Sequence, residues 1–183
     1  MRVSVRLVAP VLWLAPLLLL VTGCTGIPSG VRVVDDFSLE RYLGTWFEIA
    51  RLDHRFERGL TDVTATYTMR DDGGVTVLNR GYDLSKGDGG EWKEALGRAY
   101  FNGPETEGRL KVSFFGPFYG GYNILLLDGE YRYALVSGPD RSYLWILARE
   151  PVLPQGVLDE LLAQARQWGF DTDALIMVEH ARG

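Results

Sequence analysis

Asp62-Val63-Thr64-Ala65-Thr66-Tyr67-Thr68-Met69 alternates between an apolar set (Val63, Ala65, Tyr67, Met69) and a polar set (Asp62, Thr64, Thr66, Thr68). Successive strand side chains point to opposite faces, so this stretch predicts a strand with one dry face and one wet face. The turn Asp71-Asp72-Gly73-Gly74 follows it, and a new alternation turns Val75, Val77 and Asn79 inward opposite Thr76 and Arg80. Further on, Leu110, Val112 and Phe114 alternate with Lys111 and Ser113. Gly87-Asp88-Gly89-Gly90, Asn102-Gly103-Pro104, Asp128-Gly129-Glu130 and Gly138-Pro139 mark further turns. Together they delimit strands at about 45–53, 62–70, 74–82, 92–102, 109–115, 120–127, 131–137 and 142–149.

Eight strands joined by short turns predict an all-β domain. An antiparallel meander of this length closes into an up-and-down barrel and so removes its edges. A helix opens at Pro154, where Val157, Leu158, Leu161, Leu162, Ala165 and Trp168 form one stripe and Gly169 supplies a stop. Packed outside the barrel, it explains why strands four, six and seven are apolar on both faces. In strand four the less charged face, Ala95-Gly97-Ala99-Phe101, is assigned inward. Asp36 caps a helical turn before strand one, and Ala174 to Val178 pairs outside the barrel.

The chain has 183 residues, 46% hydrophobic and 23% charged, which suits one globular domain and excludes a disordered one. Its net charge is -5 with scattered basic residues, so nucleic acid is excluded as a partner. Arg2, Arg6 and the apolar run Leu7 to Val21 read as a secretory signal over residues 1–23, too short and too rich in proline for a membrane span. It ends in Val21-Thr22-Gly23-Cys24, a tetrapeptide that resembles the bacterial lipobox. Cys24 is the only cysteine and cannot form an internal disulfide, so it is the expected lipid attachment site. Thr25 follows it rather than aspartate, which in lipoproteins implies the outer membrane. Residues 24–36 then form a short tether, and 37–183 the domain.

Gly44-Thr45-Trp46 at the head of strand one resembles the G-x-W signature of the lipocalins. Arg149, at the end of strand eight, matches the arginine that lipocalins stack across that tryptophan. Asp53-His54-Arg55-Phe56-Glu57-Arg58-Gly59, Phe114 to Gly121, Tyr131 to Pro139 and Tyr143 to Arg149 are similar to the bacterial lipocalin and apolipoprotein D branch. In the family's second motif Asp128 and Tyr131 are kept, while Leu127 replaces the usual threonine.

The resemblance implies a lipid-anchored outer-membrane protein, facing the periplasm, that carries a fatty acid or lysophospholipid. If Trp46 points inward, alternation turns Glu48, Ala50 and Leu52 inward too, and Arg149 brings Leu147, Trp145 and Tyr143 with it. The expected cavity lining is Ala50, Ala65, Tyr67, Val77, Asn79, Ala99, Val112, Phe114, Tyr143 and Trp145. The residues alone leave open whether the aromatics shape a cavity or fill a solid core. Glu48 reads as a carboxylate hydrogen-bonded near Trp46 and the tyrosines.

Two alternatives stand beside the carrier: a periplasmic enzyme acting on a lipid or isoprenoid, and a filled-barrel lipoprotein that binds a partner. His54 and His180 show no metal-ligand spacing, so no metal, cofactor or catalytic residue is expected. The aromatic stretch Phe115 to Tyr122 either packs into the core or faces a second copy or a membrane.

Overall fold

The computed structural model describes residues 24–86 and 89–182; residues 1–23, where the signal is read, lie outside them. The alternating stretch is the body of β2 (Leu60–Met69), which pairs antiparallel with β1 (Gly44–Leu52) and β3 (Val75–Asp83). The meander continues through β4 (Glu91–Phe101), β5 (Arg109–Phe115), β6 (Phe118–Leu127), β7 (Tyr133–Ser137) and β8 (Leu144–Ala148). β8 pairs back onto β1 and closes the eight-stranded antiparallel barrel. A short β9 (Leu175–Met177) adds to β1 at Ala50–Leu52, outside the ring.

A helical turn, α1 (Leu39–Tyr42), precedes β1 at the closed end. Its cap is Ser38, whose hydroxyl accepts from Arg41 N; Asp36 sits two residues too early to reach the first turn. The long helix α2 (Gln155–Gln167) ends at Gly169, whose φ of +81° is the left-handed conformation that stops a helix.

Two apolar cores lie on either side of the barrel wall. The inner core holds Trp46, Tyr67, Val75, Val77, Ala99, Leu110, Ile124, Val136 and Leu147. The outer core packs Leu161 and Ala165 of α2 against Ile49, Ala50, Leu125, Leu135, Ile146 and Ala148. The wall strands beneath α2 are therefore buried twice.

Strict alternation fails in β1. The register with β8 shifts between Glu48 and Ala50, leaving Ile49 as the extra residue of a bulge. Trp46 and Glu48 face inward, but Ile49, Ala50 and Leu52 all pack in the outer core. The inward position expected for Ala50 and Leu52 passes instead to Arg51, which is buried beside Glu48.

The tether expected over 24–36 is instead a strap along the wall. The carbonyl of Cys24 accepts from Gly121 N at 3.0 Å, that of Thr25 from Asn102 Nδ2, and that of Gly26 from Asn123 Nδ2. Val31 is buried in the outer core, and Val34 bonds to Ile124 and Gly108 through its backbone. The cysteine thus joins the barrel with no slack.

Candidate functional site: the barrel cavity

The floor of the barrel is set by Trp46, which is fully buried. Its indole Nε1 donates to the carbonyl of Tyr42 at 2.8 Å, and the Arg149 guanidinium lies 4.0 Å from its ring centre. Arg149 also donates to the carbonyls of Arg41, Tyr42, Leu43, Thr45 and Tyr131. One side chain thereby satisfies the carbonyls at the end of α1 and closes the bottom of the barrel. Gly44, at φ +93°, lets β1 begin beneath it; a β-carbon there would stand 3.3 Å from Arg149 Nη1.

Above the floor, the Tyr122 hydroxyl bonds at 2.7 Å to both Tyr42 and Tyr67. Burial pushes all three phenols up from their ordinary range, so they stay neutral. Over this triad lies a cavity of about 90 Å³. Its waist is apolar: Val63, Ala65, Val75, Val77, Ala99, Leu110, Val112, Phe114 and Leu147. Asn79 interrupts the waist, and its Oδ1 is buried without a partner.

The mouth is polar. Arg51 Nη1 donates to Glu48 Oε1 at 2.7 Å, and its Nη2 reaches the carbonyls of Glu57 and Leu60. Those last two bonds hold the loop between β1 and β2 over the opening. Glu57 hangs from that loop into the cavity, with its carboxylate 2.8 Å from His54 Nε2 and 3.1 Å from the Trp145 indole nitrogen that donates to it. Burial, together with the Glu57 charge, raises the Glu48 carboxyl well above the usual range despite Arg51. At Glu57 burial also pushes upward, but His54, Trp145 and Arg51 outweigh it and hold the carboxyl low.

Ala65, Tyr67, Val77, Asn79, Ala99, Val112, Phe114 and Trp145 are gathered on the cavity wall. Ala50 is not, because the bulge turns it out under α2. Tyr143 is not either: it precedes β8 and stacks on Trp145 at 6.0 Å, near His54 on the rim. Glu48 faces the cavity as expected, but its partner is Arg51 rather than a tyrosine.

Sequence reading missed Arg51, His54 and Glu57, because a bulge and an irregular loop carry no period that could place them. It also missed Tyr122, which lies in a strand apolar on both faces. A larger depression of about 600 Å³ lies on the outer wall between Thr45, Thr64, Leu78, Trp92 and His180. Its charges are already paired, Arg80 with Glu94 and Arg182 with Asp62, and it offers an apolar molecule no enclosed chamber.

Residues 36–180 match the model of the lipocalin-like domain family. The chain is 57% identical to the outer membrane lipoprotein Blc of Escherichia coli K12, over 87% of this chain and 90% of that protein. It is 56% identical to the protein of that name from Vibrio cholerae, over 87% and 92%. Mouse apolipoprotein D is 30% identical over 81% of this chain and 80% of its own length. Among solved structures, insecticyanin from the tobacco hornworm superposes with a TM-score of 0.67 at 22% identity, over 86% and 88% of the two chains. That likeness concerns the fold. The matched family model, the bacterial relatives and the closed barrel together establish that this chain belongs to the lipocalin family.

Proposed function

We propose that this chain is a lipid-binding lipocalin, not an enzyme, held at the outer membrane by acylation of Cys24. Its ligand is a fatty acid or a lysophospholipid, carried or stored during envelope maintenance. The observation that carries this reading is the division of the cavity: an apolar waist on five strands beneath a polar mouth. An amphiphile fits that division, with its chain in the waist and its polar group among Arg51, His54 and Asn79.

The ionised Glu57 opposes an anionic headgroup of either kind at the mouth, while Asn79 Oδ1 is free to accept from the glycerol hydroxyl that a lysophospholipid has and a fatty-acid anion lacks. This chemistry favours a lysophospholipid over a fatty-acid anion. At about 90 Å³ the cavity is smaller than the roughly 150 Å³ that admits benzene in a dry engineered cavity. A full acyl chain therefore enters only when the β1–β2 loop and the side chains at the mouth move aside.

The exposed, unpaired Cys24 is the attachment point for the anchor, and the relatives named outer membrane lipoprotein support that placement. Titration with a fluorescent fatty acid tests the reading. Saturable one-to-one binding, reversed by a lysophospholipid more readily than by an unlabelled fatty acid, is expected. Absence of binding would favour a filled barrel that serves a partner instead.

A further inference from the structure

Strand direction sorts the connections of the barrel into two ends. β1 runs away from the closed end, so the β1–β2, β3–β4, β5–β6 and β7–β8 connections all lie at the mouth. On the first three of these sit Phe56, Leu84, and the pair Phe115 and Phe118, exposed by 58%, 51%, 72% and 61% respectively. Phe115 and Phe118 face each other across the tip of the β5–β6 hairpin. The core-packing reading of this aromatic stretch therefore fails at Phe115 and Phe118, while Tyr122 at its far end packs inside the barrel. Of the other exposed apolar side chains, Trp92 and Leu96 stand on the outer wall along β4, Ile176 and Met177 on β9, Val152 beyond β8, and Met69 at the closed end of β2. Single exposed apolar residues are ordinary; several large ones around one rim mark an interaction surface.

The strap says what covers this rim. Cys24 is fixed to Gly121, three residues along β6 from Phe118, about 10 Å at the rise of a strand. Asn102 and Asn123 hold the next two carbonyls to the wall, so an acylated Cys24 has no tether on which the barrel can turn. Chains on that residue enter the bilayer beside the hairpin and bring the rim to the interface. The rim also carries Arg55, stacked 4.7 Å over Phe56, a cation suited to lipid phosphates.

We infer that the barrel stands mouth-down on the membrane that anchors it, with Phe56, Leu84, Phe115 and Phe118 inserted at the interface. This rests on the proposed acylation of Cys24. It makes the bilayer the direct source and sink of the ligand, with no aqueous transit between them. It also places the β1–β2 loop, which closes the cavity, against the lipid it must admit.

The test uses the full chain, processed and purified from membranes of a bacterial host. It is reconstituted into vesicles of phosphatidylethanolamine and phosphatidylglycerol. Phe118→Cys and Leu84→Cys on the rim, and Glu105→Cys on the β4–β5 turn at the far end, each carry an environment-sensitive fluorophore. Mass measurement of the N-terminal peptide establishes acylation first. The rim labels should shift to the blue and be quenched several-fold more by spin-labelled lipid than the label at position 105. An acylated chain whose rim labels remain in water overturns the inference alone. An unacylated Cys24 overturns the anchor and, with it, the inference. Rim labels that are buried but insensitive to spin-labelled lipid, with energy transfer that rises with protein density, would assign the rim to a second copy of this chain and overturn it as well.

Discussion

Glu48 and Arg51 form an ion pair inside the barrel at 2.7 Å, three residues apart on a strand where strict alternation would put them on opposite faces. The bulge at Ile49 makes the pair possible by adding one residue between them. Arg51 then does two things at once: it partners the carboxylate and holds the β1–β2 loop over the mouth through two carbonyls.

The pair carries a pH dependence whose sign follows from Glu48. Its carboxyl is raised in the fold, chiefly by burial and then by Glu57, so the folded state favours the protonated form. That contribution is fully present below the unfolded value of about 4.3 and is lost as pH rises through the higher folded value. Glu48→Gln keeps an acceptor for Arg51 without the charge. The variant should therefore gain stability over the parent as pH rises from 4 to 8. Urea midpoints across that range check it, and a difference that stays flat or runs the other way refutes it.

Removing Arg51 leaves a buried carboxylate alone and releases the loop. Arg51→Leu should cost about 3–5 kcal/mol in chemical denaturation, the usual loss for breaking one side of a buried pair. Its amide exchange should quicken across residues 54–59 more than elsewhere.

Trp46 and Arg149 should matter for folding and little for ligand choice. Trp46→Ala empties a fully buried site and should cost about 3–5 kcal/mol. Arg149→Ala forfeits the stack and strands several carbonyls, whereas Arg149→Lys should recover only part of the loss. A variant that melts like the parent but no longer binds lipid would show that these roles are reversed.

Much of this was legible in the sequence, for a physical reason. In β2, β3 and β5 one face is dry and the other wet, so period two alone places Ala65, Tyr67, Val77, Val112 and Phe114 on the cavity wall. β6 and β7 lie under α2 and are apolar on both faces, so period carries no direction there and Tyr122 went unplaced. In β1 a single extra residue exchanged Ala50 for Arg51. The mouth was least legible, because His54 and Glu57 sit on a loop that is ordered by tertiary bonds rather than by local pattern.

The cavity wall has a direct geometric test. Ala65 and Ala99 line the chamber with the smallest side chains available there. Enlarging either to tryptophan should abolish fluorescent fatty-acid binding at a stability cost of about 1–3 kcal/mol, measured by thermal unfolding. Binding that survives both substitutions would move the ligand to the outside of the barrel.

The claim that an acyl chain occupies this barrel is tested most directly by native mass spectrometry of the protein extracted from membranes of its own host. The account predicts one lipid per barrel beyond the mass of the acylated chain, released on unfolding and identified as a lysophospholipid or fatty acid. It also predicts that the same preparation of Ala99→Trp carries none. A parent protein that flies without any bound lipid, or a variant that retains it, would contradict the account.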